Sequence, residues 1–441
     1  MEKIERTSSR NSHSESASRA PTFPSAAFSG QFLDKSPEAS AARATYVKAL
    51  VGGVTALSVV IFAVFSIYWG SVWSTPHHTL PGWIVDFDGG AVGQAVSSAF
   101  SSLDSGTNGI TWEVVSATQF PGGINQLRNA IVQEEIWYAI AINSGASTNL
   151  SAAVSAVDES YNSSTAISFL GSEARNENIY GIHSPIVAGQ LDALTYQTGL
   201  QFAKNMSSLS NIATIISTTP QLISRPIYYT TENLRPFDVE IASAVTFVGL
   251  IYLLILSYFV VAVSAAARQA AGLETRLTLG SLIRVRMSTS FLAYFVISLF
   301  YTLLSRAFQL PFSRHFGGAG FVIFWMLNWV GMLACGLALE AMITLLTPRF
   351  APFFLILWII SNVSVSVFPL PVLPDIYRYG YVSPFYNISR AVRSIVFGTK
   401  NDVGLNFGVL IVWVAISCCT VPLFQWFMRR RLVGAQKVLE A

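Results

Sequence analysis

Few residues in this chain have the type and spacing that catalysis requires. Asp86 and Asp88 follow an apolar run and precede Gly89 and Gly90, an arrangement that could hold Mg²⁺ at a strand end. The further Lys and Asp motifs of phosphotransfer enzymes are not found downstream, and aspartates followed by glycines are ordinary turn residues. We therefore predict a strand-to-helix turn here. The sequence predicts no catalytic residue, and we expect that the protein is not an enzyme.

Metal and cofactor sites are not predicted either. His77 and His78 are adjacent, but no third ligand lies near them in sequence, and a zinc site needs three or four. The chain has no Gly-x-x-x-x-Gly-Lys-Ser/Thr loop, so it cannot hydrolyse ATP by the P-loop route. If ATP hydrolysis supplies energy to this protein, a separate ATPase subunit must carry it out.

Glu340 is the acidic residue that falls within a long apolar run, between Leu339 and Ala341. A charged carboxylate costs on the order of 2.5–3.5 kcal/mol at the centre of a membrane helix, so such residues usually face a bundle interior or a cavity. Two interpretations stay open. Glu340 could couple transport to a proton or cation or contact a substrate, or it could make a structural hydrogen bond within the bundle.

Aromatic and basic residues follow a proline-broken apolar segment near residue 370. Tyr379, Tyr381, Arg390 and Arg393 lie in the stretch 371–400, which is amphipathic. This pattern is typical of a re-entrant or interfacial helix that could line a pathway. An aromatic belt that anchors the bundle at the membrane surface is the alternative.

The composition indicates that membrane helices position these residues. Hydrophobic residues make up 52% of the 441 residues and charged residues 12%, which excludes a soluble single domain. Runs of about 20 apolar residues predict six membrane helices. The predicted spans are 46–72 and then, in a five-helix membrane domain at 239–428, about 241–265, 287–305, 319–346, 351–370 and 404–428.

Basic residues predict the orientation, because Lys and Arg in short loops resist translocation. With a cytoplasmic amino terminus, 16 Lys and Arg lie inside and 6 in the short outer loops. Both termini, including the tail 429–441, are then cytoplasmic, and residues 73–238 are extracytoplasmic. This loop is acidic, so nucleic acid is not expected as a partner. Three glycosylation acceptor asparagines fall within it: Asn149, Asn162 and Asn205.

The two parts outside the spans differ in composition. Residues 1–45 are rich in serine and poor in large apolar residues, which predicts a disordered cytoplasmic tail. Residues 73–238 alternate short apolar runs with amphipathic stretches, which predicts an α/β domain inserted between the first two helices. We expect strands at 82–87, 110–115, 137–142 and 166–170, and a long helical region at 185–216.

Several segments, in their order and spacing, resemble the fungal nitrosoguanidine-resistance family of multi-span membrane proteins. They include Val85-Asp-Phe-Asp88, Val132-Gln-Glu-Glu-Ile-Trp137, Arg225-Pro-Ile-Tyr228, Asn233-Leu-Arg-Pro-Phe237 and Phe397-Gly-Thr-Lys400. The layout is also similar to that of bacterial phage-infection proteins and the membrane domains of ABC-2 type exporters. The resemblance implies a protein of the plasma membrane or secretory pathway that is linked to drug tolerance or to lipid distribution between leaflets. It implies no catalytic residues.

Two functions of different class follow. The protein could be an exporter-type permease for toxic amphipathic compounds or lipids, acting with membrane lipids, lipophilic small molecules and either an ATPase subunit or further copies of itself. Alternatively, it could be a non-transporting scaffold or stress regulator that acts through its outer domain and serine-rich tail. The sequence does not name the substrate or the energy source.

Overall fold

The computed structural model describes residues 30–102, 109–207 and 210–440; within these, the side chains of 347–349 and 435–440 are not described. The chain forms two compact units, residues 1–62 and 63–441. Most of the predicted disordered tail, residues 1–29, lies outside the described residues. The prediction for residues 37–45 is wrong, because helix α1 (Pro37–Val60) already begins at Pro37.

The start of α1 has a local cause. Ser36 has extended backbone angles and its hydroxyl accepts a hydrogen bond from Ala39 N at 3.2 Å. Pro37 stands in the first turn, where no N–H is needed, and Glu38 adds a negative charge beside the positive end of the helix dipole. A π-helical turn, Ile61–Phe65, and α2 (Ser66–Val72) continue the helical path.

The α/β domain contains a five-stranded mixed sheet in the order β2-β1-β3-β4-β5. The strands are β1 (Leu80–Asp86), β2 (Ile110–Val115), β3 (Tyr138–Ile142), β4 (Ile167–Gly171) and β5 (Tyr229–Asn233). Strand β4 is antiparallel to β3, and the other neighbouring pairs are parallel. All four predicted strands are present, and β5 was not predicted.

Helices cover both faces of this sheet. They are α3 (Ala91–Ser101), α4 (Ile124–Val132), α5 (Ala146–Ala156), α6 (Glu177–Met206), α7 (Ile212–Thr218) and α8 (Gln221–Ser224). Strand β3 is buried along its whole length: Ile140 packs into the core under α3 and α6, and Ala139 and Ala141 pack under α4. This two-sided burial explains the continuous apolar run of β3.

Helix α6 begins earlier than predicted. The sequence analysis placed its start at Pro185, but the side chain of Asn176 caps the helix by accepting a hydrogen bond from Ile179 N at 3.0 Å. Pro185 therefore lies inside the helix. The helix ends at Met206, and the predicted continuation to residue 216 is replaced by the separate helix α7.

The membrane bundle follows the α/β domain. A π-helical turn, Ala244–Val248, leads into α9 (Gly249–Ala270). The next helices are α10 (Leu273–Arg276), α11 (Leu279–Ala307), α12 (Ser313–Phe316), α13 (Gly320–Val363), α14 (Pro384–Phe397) and α15 (Val403–Glu440). Helix α15 continues through most of the predicted cytoplasmic tail 429–441.

Helix α13 is sharply bent. A straight helix would separate Gly331 from Asn362 by about 46 Å. Both residues nevertheless contact one turn of α14: a Cβ on Gly331 would lie 2.6 Å from Ile388 Cδ1, and Asn362 Oδ1 accepts a hydrogen bond from Phe385 N at 3.2 Å. The two arms of α13 therefore fold back toward each other. Pro352, which lacks an N–H, lies in the sequence between them.

The bend changes the predicted span pattern. Five helices in the described part of the chain are long and apolar enough to cross a membrane: Pro37–Val72, Ala244–Ala270, Leu279–Ala307, Ser313–Leu346 and Val403–Gly434. The second arm of α13, Phe350–Val363, is apolar but shorter. Its length of about 21 Å is less than the roughly 30 Å of a hydrocarbon core, so the prediction of a sixth span at 351–370 is not confirmed.

A buried histidine in the α/β domain makes its stability depend on pH. His183 on α6 is fully buried, its ring lies 5.5 Å from that of Tyr138, and neither ring nitrogen has a hydrogen-bond partner among the described residues. Burial lowers the pKa of His183 from 6.5 to about 4. Between these values the unfolded chain binds a proton that the folded domain does not bind, so stability falls as the pH falls.

We expect the folded protein to be about 2 kcal/mol less stable at pH 5 than at pH 7 through this residue. Thermal melting of the full-length protein in detergent measures the difference. His183→Leu should reduce it, and His78→Leu, at an exposed histidine, should leave it unchanged. An equal dependence on pH in wild type and His183→Leu would contradict the assignment.

Candidate functional site

Helix α14 lies between the α/β domain and the membrane bundle. Twelve of its residues are buried, and only Tyr386 and Arg390 are partly exposed. The sequence analysis expected a re-entrant or interfacial helix in the stretch 371–400, and the structure surrounds α14 with protein. Pro384 begins the helix and Gly398 ends it with a positive φ of 70°, a conformation that favours glycine.

Ion pairs connect α14 to the α/β domain. Arg390 Nη1 donates to Glu134 Oε2 at 2.6 Å and Nη2 donates to Asp402 Oδ2 at 3.0 Å. Arg393 Nη1 donates to the carbonyl of Ala174 at 3.0 Å and to Glu177 Oε2 at 2.5 Å. These two predicted residues therefore hold the domain and the bundle together.

Further hydrogen bonds strengthen the same junction. Arg235 Nε donates to the carbonyl of Gly398 at 2.8 Å. The side-chain amides of Asn176 and Asn178 both donate to the carbonyl of Val367, at 3.1 and 3.0 Å. Since each of these bonds joins the α/β domain to a segment near α14, the two parts are fixed to each other at several points.

A cavity of about 170 Å³ lies within this junction, and we call it the junction cavity. Its wall combines charged, aromatic and proline side chains. The lining residues are Glu134, Trp137, Arg175, Asn176, Val365, Ser366, Phe368, Pro369, Pro371, Tyr381, Tyr386, Ser389, Arg390 and Arg393. Three of the four residues predicted to form a pathway or interface, Tyr381, Arg390 and Arg393, meet here.

The fourth predicted residue, Tyr379, lies elsewhere. Its hydroxyl donates to the carbonyl of Ser361 at 2.8 Å, and it borders a separate depression beside Tyr377. The hydroxyl of Tyr377 donates to the carbonyl of Ile67 at 2.7 Å. These two tyrosines thus connect neighbouring segments of the membrane part and do not belong to the junction cavity.

Arg175 is the charged residue of the cavity wall with the least compensation. It lies over the Trp137 ring, 3.5 Å from the ring centroid, and donates to the carbonyls of Ile136 and Glu134 at 2.7 and 3.3 Å. Its Nε lies 3.5 Å from Glu134 Oε2 but makes no hydrogen bond in the described part of the chain. Burial lowers the pKa of Arg175 to about 10.

The pKa of Arg390 is shifted in the opposite direction to that of Arg175. Its burial favours a lower pKa, but Glu134, Tyr386 and Asp402 outweigh the burial and raise the pKa of Arg390 above its usual value. Glu134 therefore compensates mainly Arg390. The sequence analysis missed Glu134, Trp137 and Arg175 because nothing in their local spacing relates them to residues 390 and 393. Val132 to Trp137 had stood out only as part of the family resemblance.

A second charged cluster lies inside the bundle, at its end away from the α/β domain. Glu340 on α13 is 1% exposed, and its Oε1 accepts hydrogen bonds from Arg286 Nε on α11 at 2.6 Å and Arg268 Nη2 on α9 at 3.0 Å. Arg286 also donates to the carbonyl of Glu340, to Thr344 Oγ1 and to Gln425 Oε1 on α15. The Glu340 carboxylate thus joins α9, α11 and α13, and Arg286 extends the connection to α15.

This arrangement bears on the two interpretations of Glu340. Oε1 of Glu340 already accepts from two guanidinium groups, and their positive charges beside this carboxylate oppose the approach of a further cation. A structural role is therefore favoured over the binding of a coupling cation. The sequence analysis had counted Arg268 and Arg286 as loop residues, but they are only 6% and 4% exposed. Their positions near the ends of apolar runs concealed their pairing with Glu340.

The remaining candidates have structural partners. Asp86 accepts hydrogen bonds from the backbone N–H groups of Asp88 and Gly89, and Asp88 accepts from Ser147 N and Oγ at the start of α5. Asp86 therefore stabilises the predicted turn, and Asp88, which also accepts from Gly90 N, joins this turn to the start of α5. No group of three His, Cys, Asp or Glu residues that could hold a metal ion occurs among the residues the structure describes. Asn149, Asn162 and Asn205 are all exposed.

Comparison with known proteins identifies the family. The family model described as "Protein of unknown function (DUF3533)" matches residues 54–419, which is most of the chain. The chain belongs to this family. The match covers both the α/β domain and the membrane bundle, and therefore includes the whole junction cavity.

One relative of the DUF3533 protein is described as an uncharacterized endoplasmic reticulum membrane protein of Saccharomyces cerevisiae. It is 33% identical over 211 residues, which are 47% of this chain and 41% of the relative. The match thus covers about two-fifths of the relative's length. No solved structure matches the chain. The protein is a multi-pass membrane protein of a fungal-type family.

In this DUF3533 protein, removal of the charge of Glu340 should destabilise the bundle. Glu340→Gln leaves Arg268 and Arg286 without a carboxylate at hydrogen-bond distance, and breaking a buried ion pair in this way typically costs about 3–5 kcal/mol. Thermal melting of the purified protein in detergent measures the loss. The double variant Glu340→Gln with Arg286→Gln should recover part of it.

Glu274→Gln is the matched control. The Glu274 side chain is 53% exposed and lies 3.8 Å from Arg268, so its loss should change stability by less than about 1 kcal/mol. A Glu340→Gln protein that melts like wild type would contradict the structural role. If that variant also lost transport, the sequence-based hypothesis of a transport role for Glu340 would be supported instead.

Proposed function

We propose that the protein exports toxic amphipathic compounds, or redistributes lipids across the membrane, and that the junction cavity receives the polar head of the transported molecule. The observation that carries this proposal is the cavity itself. Its wall has arginine and tyrosine side chains beside prolines and a tryptophan, and it is formed partly by the segment between the bent helix α13 and α14. An amphipathic molecule requires such a mixed surface.

The location of the cavity supports the same proposal. Aromatic residues are typical of the level at which lipid headgroups meet the hydrocarbon core. The second arm of α13 is too short to cross that core and leads directly to the cavity wall at Val365 and Ser366. A molecule with its chain in the membrane could therefore reach the cavity with its head.

The energy source is proposed to lie outside this chain. The sequence has no P-loop, and the first candidate span, Pro37–Val72, is long and apolar. An apolar helix of this kind can contact lipid or another subunit. A separate ATPase subunit or a second copy of the chain is therefore the proposed partner.

The proposed orientation has both termini in the cytoplasm and the α/β domain on the lumenal or extracellular side. Its support is the distribution of Lys and Arg and the three exposed acceptor asparagines. The relative in the endoplasmic reticulum membrane is compatible with the secretory pathway, and the plasma membrane is the other proposed location.

Glycosylation tests this orientation. We expect an endoglycosidase to reduce the apparent mass of the protein made in a eukaryotic host, because the α/β domain faces the lumen during synthesis. Asn149→Gln, Asn162→Gln and Asn205→Gln together should abolish that reduction. An acceptor sequence added after residue 441 serves as the control and should stay unmodified. A wild-type protein insensitive to the enzyme, together with a modified carboxyl-terminal acceptor, would reverse the proposed orientation.

One observation favours the scaffold or stress-regulator alternative. The α/β domain has its own depression of about 410 Å³, lined by side chains that include Asn143, Ser168, Thr230 and the paired Arg128 and Glu232. A small polar ligand or a partner loop could bind there without any transport. This alternative predicts normal release of amphipathic compounds when the junction cavity is filled.

Cellular retention of a panel of fluorescent lipophilic cations and labelled lipids separates the two functions. Cells with the wild-type protein should lose at least one probe faster than cells without it. Ser389→Leu places a larger side chain in the cavity wall and should abolish the difference, whereas Ser313→Leu at an exposed position should preserve it. Equal retention with wild-type, null and Ser389→Leu cells would remove the support for transport.

A further inference from the structure

The wall of the junction cavity has many more hydrogen-bond donors than acceptors. Three arginines line it, and Glu134 is the single carboxylate among the lining residues. Guanidinium groups can only donate, and each has five N–H groups. The six hydrogen bonds that these arginines make with described protein acceptors use fewer than half of those groups.

Two of the three compensating carboxylates are not on the wall. Glu177 and Asp402 pair with Arg393 and Arg390, and with Glu134 they bring the formal charge of the cluster to zero. However, neither Glu177 nor Asp402 lines the cavity. A molecule inside the cavity therefore faces a wall with three guanidinium groups and one carboxylate.

Two of the arginines have nitrogen atoms without a partner. Arg393 is 5% exposed, and its hydrogen bonds to the described residues involve Nη1 alone, so Nε and Nη2 donate to none of those residues. The Arg175 side chain is nine-tenths buried, and its Nε is buried without a hydrogen bond to the described residues. A buried donor without an acceptor is unfavourable. Burial is the main cause of the lowered pKa of Arg175, and the nearby positive charge of Arg390 lowers it further.

The rest of the wall fits a short carbon segment next to such an acceptor. Trp137, Phe368, Pro369 and Pro371 provide apolar surface within the same cavity. Its volume of about 170 Å³ is similar to that of an engineered protein cavity of about 150 Å³ that binds benzene, and so suffices for a compact head and its first carbons but not for a long chain.

We propose that the junction cavity binds the oxyanion head, a phosphate or a carboxylate, of an amphipathic molecule. Arg393 and Arg175 donate to the oxygens, the aromatic and proline side chains contact the adjoining carbons, and the chain extends away from the cavity. This inference rests on the proposed function, because it treats the bound molecule as the transported substrate and names its chemical class. Binding can nevertheless be measured separately from transport.

Equilibrium binding to the full-length protein in an uncharged detergent tests the inference. Dodecyl phosphate and dodecyltrimethylammonium have the same chain and opposite head charges, and inorganic phosphate has the head alone. Quenching of tryptophan fluorescence reports binding, and Trp137→Phe shows how much of the signal arises in the cavity. Dodecyl phosphate should bind, the ammonium compound should not compete, and inorganic phosphate should compete only weakly.

Substitutions locate the site. Arg393→Gln should weaken binding of dodecyl phosphate at least about tenfold, because one or two charge-assisted hydrogen bonds are lost. Arg393→Lys, which keeps the charge, should recover part of the affinity. Arg378→Gln is the matched control, since its exposed pair with Asp375 lies outside the cavity wall, and it should bind like wild type. Thermal melting verifies that each variant is folded.

If Arg393→Gln does not fold, Tyr386→Phe still tests the site, because it removes only one hydroxyl from the wall and should weaken binding a few-fold. Equal binding of the phosphate and ammonium compounds, or unchanged binding in folded Arg393→Gln, would overturn the inference. Strong competition by inorganic phosphate would support an oxyanion site but assign it to a free anion. Oxyanion binding without any effect on cellular retention would leave this site standing and reject the proposed transport.

Discussion

A guanidinium group that is removed from water needs an opposite charge or several acceptors nearby, and this requirement organises the protein at two places. At the junction, Glu134, Glu177 and Asp402 pair with the arginines of α14, and the pairing connects the α/β domain to the bundle. At the end of the bundle away from the α/β domain, Glu340 forms ion pairs with two arginines and so joins α9, α11 and α13. The apolar contacts between these points determine the packing, but the charged contacts determine which segments must meet.

Local patterns predicted local structure well. The strands of the α/β domain followed from short apolar runs, and β3 was recognisable because its run is buried on both sides. Glu340 was conspicuous because a charged carboxylate within a membrane helix has a high free energy of insertion. Arg390 and Arg393 were conspicuous because they follow a proline-broken segment rich in tyrosine.

Long-range pairing was not predictable from the same patterns. Arg286 and Glu340 are 54 residues apart, and their attraction leaves no periodic signal in the sequence. The burial of α14 was missed for a related reason: an amphipathic helix packed between two protein surfaces resembles one that lies on a membrane. The sequence analysis also did not predict the bend in α13. Residues 319–370 contain enough apolar residues for two spans, but the second arm of α13 is too short to be one and leads into the junction.

The junction also constrains the order in which the chain can fold. The ion pair between Arg390 and Glu134 joins residues 256 positions apart, and that between Arg393 and Glu177 joins residues 216 apart. The ribosome has therefore completed the α/β domain and inserted most of the bundle before either pair can form. Until then Glu134 and Glu177 lack their arginine partners on α14, and α14 has only part of its packing surface. Closure of the junction is thus a late step in biogenesis, and a cell that inspects newly made membrane proteins would detect a defect there as an exposed helix with unpaired arginines.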